Sequence, residues 1–291
     1  MPKTYSYSRI TTFEKCPLKF KYRYIDEIIP EVEKSIETHL GKSVHSALEW
    51  LYKKVKLGQI PSIEEAILSY SREWEKDFSD QILIVNRSLT PKDYFNKGIQ
   101  FLTTYYTQHH PFNDNTLEIE KRILINLDKS GDYRIQGFID RLTYNLQTGE
   151  YEIHDYKTSN NLPTSEKIDT DKQLALYSIA IKETYGKDKE VKMIWHFLAY
   201  NKRIQKKKTN EELDALRLET LETIKTIEAT KEFPPIKSAL CSWCEYKSIC
   251  PAWGNSPGKR EKQKTLDQLE NETKYEEITP IEKRELLDIW D

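Results

Sequence analysis

YRIQGFIDRLTYN (residues 133–145) and YEIHDYKT (151–158) read as two β-strands rich in Ile, Leu and Tyr, joined by a turn over Gln147 to Gly149. Just upstream, LEIEKRILINL (117–127) reads as a third strand, and Asp128 to Gly131 supply the turn that follows it. The three form an antiparallel meander. Asp140 ends one strand; Asp155 and Lys157 lie on the next, where alternation puts them on one face with Tyr156 opposite. If the strands pair through the 147–149 turn, Asp140 approaches Asp155. Two carboxylates brought together repel unless a cation binds between them, and hard divalent ions take oxygen ligands and polarise phosphoryl oxygens. A lysine beside them can position water or neutralise phosphate charge. D-x-K alone is short and common, and is more often a surface ion pair. Here Phe138 and Ile139 precede one acid and Ile153 the other, as in an interior strand. Glu120, on the strand before Asp140, could face the same site.

Helices flank the meander. Residues 7–26 place Ile10, Phe13, Phe20 and Tyr24 at helical spacing, with Ser8 as the expected cap and Pro17 as a kink or a break between two short helices. Residues 41–57 put Val44, Leu48, Leu51 and Val55 on one face and stop at Gly58. Helices are also expected near 62–79, 91–110, 170–184 and 210–231, and a strand over 191–200. This order predicts an α/β core behind a helical N-terminal region. Gly41-Lys42-Ser43 is not a phosphate-binding loop, because Ile36 stands where the first glycine belongs.

Of 291 residues, 37% are apolar and 32% charged, so the surface must be densely charged. No apolar run approaches the roughly 20 residues of a membrane span, and MPKTYSYSRITTF lacks the apolar core of a secretory signal. A soluble protein of the cytoplasm, a reducing compartment, with no membrane partner, is expected. The net charge of −2 is unevenly spread: residues 265–291 hold nine acids against three bases, and the remainder is positive. Basic clusters at Lys15, Lys19, Lys21 and Arg23, and at Lys202, Arg203, Lys206, Lys207 and Lys208, could follow a phosphate backbone or simply be solvated.

The four cysteines are Cys16, Cys241, Cys244 and Cys250; the last three form C-x2-C-x5-C followed by Pro251. Three thiolates at this spacing can occupy three corners of a tetrahedral site, and only Cys16 remains to supply the fourth. Sulfur ligation of this kind suits zinc or an iron–sulfur cluster, and spacing alone does not decide between them.

GFIDRL…HDYKT resembles motifs II and III of the PD-(D/E)XK nucleases, particularly the RecB-family exonucleases. The resemblance makes Asp140 the motif II acid, Asp155 the (D/E) of motif III and Lys157 its lysine. DKQLALY places Gln173 and Tyr177 at the family's Q-x3-Y spacing, and GKSVH carries His45 in its G-x3-H pattern. By this resemblance His45, Asp140, Asp155 and the backbone carbonyl of Tyr156 hold one or two Mg2+ or Mn2+ ions. Lys157 orients water or stabilises charge, and Gln173 and Tyr177 contact the nucleic acid or support the site. The cysteine pattern is similar to that of the iron–sulfur subgroup, which includes AddB-type nuclease domains and CRISPR adaptation nucleases. It implies a [4Fe–4S] cluster on Cys16, Cys241, Cys244 and Cys250. YSRITTFEKCPLKFKYRY also resembles the family's opening segment, so the likeness runs from about residue 5 to 253. One departure is Ile139, where the family places a proline before the acid.

The expected fold is therefore restriction-endonuclease-like: a mixed sheet flanked by helices, an N-terminal helical region and a cluster-binding C-terminal segment. The nuclease domain is expected over 1–253 with a helical insertion at 58–112, followed by a linker and acidic tail over 254–291. The expected activity is metal-dependent exonuclease cleavage of DNA, on single strands or duplex ends, in repair or recombination. A helicase or CRISPR adaptation proteins are the further partners the resemblance admits. The competing readings are a CRISPR adaptation nuclease trimming spacer precursors, a catalytically idle iron–sulfur DNA-binding module, and a zinc-stabilised interaction protein.

Overall fold

Strand β3 (Tyr133–Asn145) carries the sheet, and its two edges are used differently. Along one edge β2 (Thr116–Asn126) runs antiparallel, from Thr116 opposite Thr143 to Asn126 opposite Arg134. The other edge is shared. β1 (Lys3–Ser6) pairs parallel with its beginning, and β4 (Glu150–Lys157) pairs antiparallel with its end, Arg141 opposite His154. Residues 137–140, Asp140 among them, fall between these two partners. β5 (Val191–Phe197) joins β4 in parallel, and β6 (Lys202–Lys207) closes the far edge antiparallel, giving six strands of mixed direction. The computed structural model describes residues 2–32, 34–79 and 81–255, so the expected linker and tail lie, from 256 on, outside the described residues. The chain divides into two compact units, Met1–Ser248 and Ile249–Asp291. Everything above belongs to the first; the described part of the second contains a short 3-10 turn at Pro251–Trp253.

Helices cover both faces. Parallel β4 and β5 need a crossover, and the short α6 (Ser165–Asp169) followed by α7 (Gln173–Tyr185) supplies it. Residues 174–182 of α7 are all buried, as befits a helix packed between the sheet and α8 (Asn210–Ala229). This layer also receives α1 (Tyr7–Lys15) and α2 (Pro17–Tyr24), around Phe20, Ile135, Ile153, Ile181, Trp195 and Ile224. A second core joins the sheet to α3 (Ile36–Lys56), α4 (Ile63–Lys76) and α5 (Pro91–His109) through Val44, Leu48, Tyr52, Tyr70, Phe101 and Tyr156. Ser62 with Glu65, and Thr90 with Asp93, form reciprocal capping boxes that start α4 and α5. Ile36, Leu40, Val44, Leu48 and Leu51 are each at most 4% exposed. At about 1.5–3 kcal/mol per buried aliphatic side chain they contribute on the order of 10 kcal/mol, which anchors α3 firmly.

Several local expectations are corrected. The cap of α1 is Ser6, whose side chain accepts from the Arg9 amide, and not Ser8. Of the two readings of Pro17, the break between two short helices is the one found, because Pro17 sits at the first position of α2, where no amide is needed. α3 begins at Ile36, ahead of residue 41, since Ile36 and Leu40 extend its buried stripe. β5 stops at Phe197. A 3-10 turn over Leu198–Tyr200 and left-handed Asn201 (φ 50°) reverse the chain, and the basic stretch after them becomes edge strand β6. Much of the expected basic surface is neutralised: Lys206 pairs with Asp169 at 2.8 Å, Lys208 with Glu212 at 2.8 Å and Lys19 with Glu245 at 2.6 Å.

Strand β3 also changes phase. Ile139 and Leu142 both lie in the first core, although an odd separation puts residues on opposite faces of a regular strand. The change coincides with Glu120, which lies opposite Asp140 because its neighbours Ile119 and Lys121 pair with Arg141 and Ile139. Glu120 has φ 48°, a left-handed conformation that costs a non-glycine residue about 1–3 kcal/mol.

Candidate metal centre

Gly41, His45 and Glu49 are spaced four apart and share one face of α3. A Cβ on Gly41 would lie 3.2 Å from Thr158 Oγ1, so the glycine lets the helix approach the end of β4 closely. One turn on, His45 Nε2 lies 2.6 Å from the carbonyl oxygen of Tyr156, and Nδ1 lies 3.4 Å from Asp140 Oδ2. Both ring nitrogens thus face oxygen acceptors, an arrangement that calls for a proton on each. Burial alone would lower the His45 pKa; the hydrogen bond and charge of Asp140, the charge of Asp155 and the Tyr156 carbonyl outweigh it and raise it to about 9. Asp140 Oδ2 also accepts from the Tyr156 amide at 3.0 Å.

Glu120 completes the group. Ligand atoms of His45, Glu120 and Asp140 lie within 4.8 Å of one another, on the wall of a pocket of about 430 Å³ that Glu49 also lines. Burial, then the charges of Asp140 and Glu49, push the Glu120 pKa up to about 7. Its left-handed backbone at this position matches strain concentrated at a working site.

Asp155 stands beside this trio rather than in it. Its residue is 4% exposed, and burial, with the charge of Asp140, raises its pKa to about 6 against the lowering effect of Lys157. Lys157 Nζ lies 3.0 Å from Oδ1 and 2.8 Å from Oδ2, but only the Oδ1 contact has hydrogen-bond geometry. Oδ2 is left buried without a hydrogen bond among the described residues. Lys157 also reaches Gln173 Oε1 at 3.4 Å, and Gln173 Nε2 donates to the Tyr177 hydroxyl at 3.5 Å. The Tyr177 ring lies over Gly137, where a Cβ would come within 2.5 Å of it. Three carboxylates, one of them with a buried oxygen that accepts no hydrogen bond, an imidazole and a main-chain carbonyl are a donor set that fits a hard divalent cation.

Directly behind the centre lies a second polar cluster. Arg141, 1% exposed, donates to the Tyr156 hydroxyl at 2.9 Å and to Asp114 at 2.6 Å, and its guanidinium lies 4.0 Å from the centre of the Tyr52 ring. His154 Nδ1 lies 3.0 Å from Arg141 Nη2 and 2.9 Å from His196 Nε2, while His154 Nε2 meets Thr143 Oγ1 at 3.1 Å. These contacts require a neutral His154 accepting at Nδ1. Burial and the charge of Arg141 hold the pKa of both His154 and His196 well below the usual value, and that of His109 at about 4.

The structure brings five of the expected residues, His45, Asp140, Asp155, Tyr156 and Lys157, to one place, with Gln173 and Tyr177 alongside. Sequence reading had Glu120 able to face the site but left it out of the ligand set, and it passed over Arg141. The signal for both was available only through register: Glu120 is opposite Asp140, and Arg141 follows it. The cysteines are less closely gathered. Among the described residues no disulfide joins any of the four. Within the first unit, Cys16 lies close enough to Cys244 to raise its thiol pKa, although burial contributes more. Their segments are joined by Lys19–Glu245 and by Tyr22 packing edge-on to Tyr246 at 5.6 Å. Among the described residues no three cysteines have sulfur atoms within 4.8 Å of one another. A tetrahedral zinc site, with Zn–S near 2.3 Å, would bring them to about 3.8 Å.

The sequence pattern of the PD-(D/E)XK nuclease superfamily matches residues 4–251. No curated protein matches the chain. Among solved structures, the crystal structure of SSO0001 is similar over 87% of this chain and 88% of its own, at 17% identity and a TM-score of 0.39. A protein from Eubacterium rectale, named "Putative exonuclease", is similar over 92% of this chain and 97% of its own, at 12% identity and a TM-score of 0.47. At such values neither protein's chemistry transfers to this chain.

Proposed function

The chain belongs to the PD-(D/E)XK nuclease superfamily, and on that premise we propose that it is a metal-dependent DNA exonuclease of repair or recombination. The observation that carries this reading is the convergence of His45, Glu120 and Asp140 beside the buried Asp155–Lys157 pair. His45, Asp140, Asp155 and the Tyr156 carbonyl would hold magnesium or manganese, with Glu120 as an added oxygen donor. A bound ion of this kind polarises a phosphoryl oxygen and lowers the pKa of water. The rest falls to the chain's own groups. Lys157, held between Asp155 and Gln173, presents its remaining N–H to the attacking water or to a phosphate oxygen. Tyr177, buried over Gly137, keeps Gln173 in place and so supports the site. Without a cation the acids of the pocket repel a phosphodiester, so the ion is also a condition for substrate entry.

Cys16, Cys241, Cys244 and Cys250 would hold a [4Fe–4S] cluster that fixes the N-terminal segment against the C-terminal one. The neighbouring Cys16 and Cys244 segments support this. Iron, sulfide and zinc contents of anaerobically purified protein test it: four irons per chain, lost in Cys16→Ser, are expected, and stoichiometric zinc would replace the cluster by a zinc site.

The nuclease reading is tested on labelled single- and double-stranded DNA with magnesium or manganese, using the native protein and Asp140→Ala checked for folding. Cleavage by the native chain alone, with mononucleotides released from an end, is the expected result. If neither protein cuts any substrate while both bind DNA, the chain is a binding module and the proposed chemistry is wrong.

A further inference from the structure

The outer face of the β2–β3 ribbon continues from the candidate metal centre without a break. The Glu120–Asp140 pair is followed on the same face by Arg122 opposite Phe138, then Leu124 opposite Gln136, then Asn126 opposite Arg134. The intervening residues Ile123, Ile125, Ile135 and Ile139 are at most 4% exposed and face the first core. On the outer face, by contrast, Phe138 is 53% and Leu124 48% exposed. An exposed phenylalanine inside a long, regularly paired strand, two residues from a candidate ligand, gains nothing for folding. Beyond Glu120 and Asp140 this face carries no acid; its charged groups are Arg122, bonded to Gln136 at 3.1 Å, and Arg134. On the more conspicuous basic strand β6, Lys206 and Lys207 are taken up by ion pairs with Asp169, Glu150 and Glu190, and the strand lies at the far edge of the sheet from the β2–β3 ribbon, so it is the poorer candidate for a phosphate track.

Resting on the nuclease reading above, we infer that this ribbon is the track for a single-stranded end of the nucleic acid. Phe138 stacks on the base next to the phosphate held at Asp140, Leu124 supports the following base, and Arg122 and Arg134 accompany the backbone. The distance suits it: two residues of strand span roughly 7 Å, within reach of the base attached to that phosphate. Aromatic stacking together with cationic backbone contacts is how proteins hold single strands independently of sequence. In a duplex the bases are already stacked and paired and cannot lie flat on Phe138, so the track selects single strands or frayed ends.

The test is equilibrium binding of a fluorescent single-stranded oligonucleotide and of the blunt duplex of the same sequence. It is run in calcium, to limit cleavage, with native protein, Phe138→Ala, Phe138→Trp and Arg122→Ala, each checked by thermal melting. The expected result is tighter binding of the single strand. Phe138→Ala weakens it by about 5- to 100-fold, the size of one base–aromatic stack, and Phe138→Trp retains it. Arg122→Ala weakens it with a reduced dependence on salt. Equal single-strand affinity in native, Phe138→Ala and Arg122→Ala overturns the inference, as does a preference for the blunt duplex that ignores Phe138. The two readings fail separately: single-strand binding through Phe138 without cleavage defeats only the nuclease reading, and cleavage with binding indifferent to Phe138 defeats only the track.

Discussion

Asp140 and Arg141 are neighbours in sequence, as are Asp155 and Tyr156, yet each pair divides between two clusters of opposite character. In front, the acids and His45 are crowded, one carboxylate oxygen is orphaned and Glu120 is backbone-strained. Behind, Arg141, Tyr156, His154 and His196 satisfy one another, with Tyr52 under the guanidinium. A polar cluster that closes on itself makes a rigid support. A cluster left with excess negative charge is incomplete until a cation arrives. The contrast teaches which of two buried polar groups works and which one holds: the former is recognised by what it lacks.

The largest expected effect is on the front cluster's chemistry. Asp140→Ala should lower the cleavage rate by at least about a thousandfold, some 4 kcal/mol of transition-state stabilisation, measured in single turnover with manganese. Metal-free Asp140→Ala should melt within a few degrees of the native chain, because relief of repulsion from Glu120 and Asp155 offsets the lost acceptor of the Tyr156 amide and the lost partner of His45; a large drop in Tm would mean the front cluster is structural after all. Lys157→Ala should cost about 100- to 1,000-fold in the same assay while manganese affinity, read by calorimetry, is maintained or increased.

Next comes the rear cluster. Arg141→Met should destabilise the fold by about 2–4 kcal/mol, measured by urea unfolding, since it leaves the Tyr156 hydroxyl and His154 short of a donor. Activity at a temperature where the variant is folded should fall far less than in Lys157→Ala. A loss of activity without a loss of stability would erase the distinction between support and chemistry.

The smallest effect is the most discriminating, because the two clusters respond oppositely to pH. Glu120 and His45 have folded pKa values raised to about 7 and about 9, so the native state holds the extra protons. Their contribution favours folding at low pH and is lost as pH rises through those values. His109 is held at about 4, so there the unfolded chain binds the extra proton; stability is lost as pH falls from about 6.5 towards 4. Metal-free protein should therefore show a Tm maximum near neutrality. His45→Gln should flatten its alkaline side and His109→Gln its acid side, each by a few degrees. Manganese should raise Tm more at pH 8 than at pH 6, because it must displace the protons.

Much of this was legible in the chain. The alternation of β3 and β4, the turn at 147–149 and the spacings of His45, Gln173 and Tyr177 depend on interactions within a few residues, which local periodicity records. Glu120 was legible as a residue that could face the site but not as a ligand, because its place opposite Asp140 depends on the β2–β3 register and on a backbone distortion that no local pattern announces. Arg141 was invisible for the complementary reason: a lone arginine in a strand reads as a surface residue until the rings that bury it are assembled from α3, α5 and β5. Strand β6 was missed because its charged residues conceal a short edge strand.

The sequence by itself thus determined which chemical groups the site contains and which local elements carry them, since side-chain identity and short-range periodicity are properties of the chain alone. Only the tertiary structure decided which groups meet, which of them are left without partners and which exposed face continues from them. Register, burial and electrostatic satisfaction arise between segments a hundred residues apart, and they exist only once the sheet has closed against its two layers of helices.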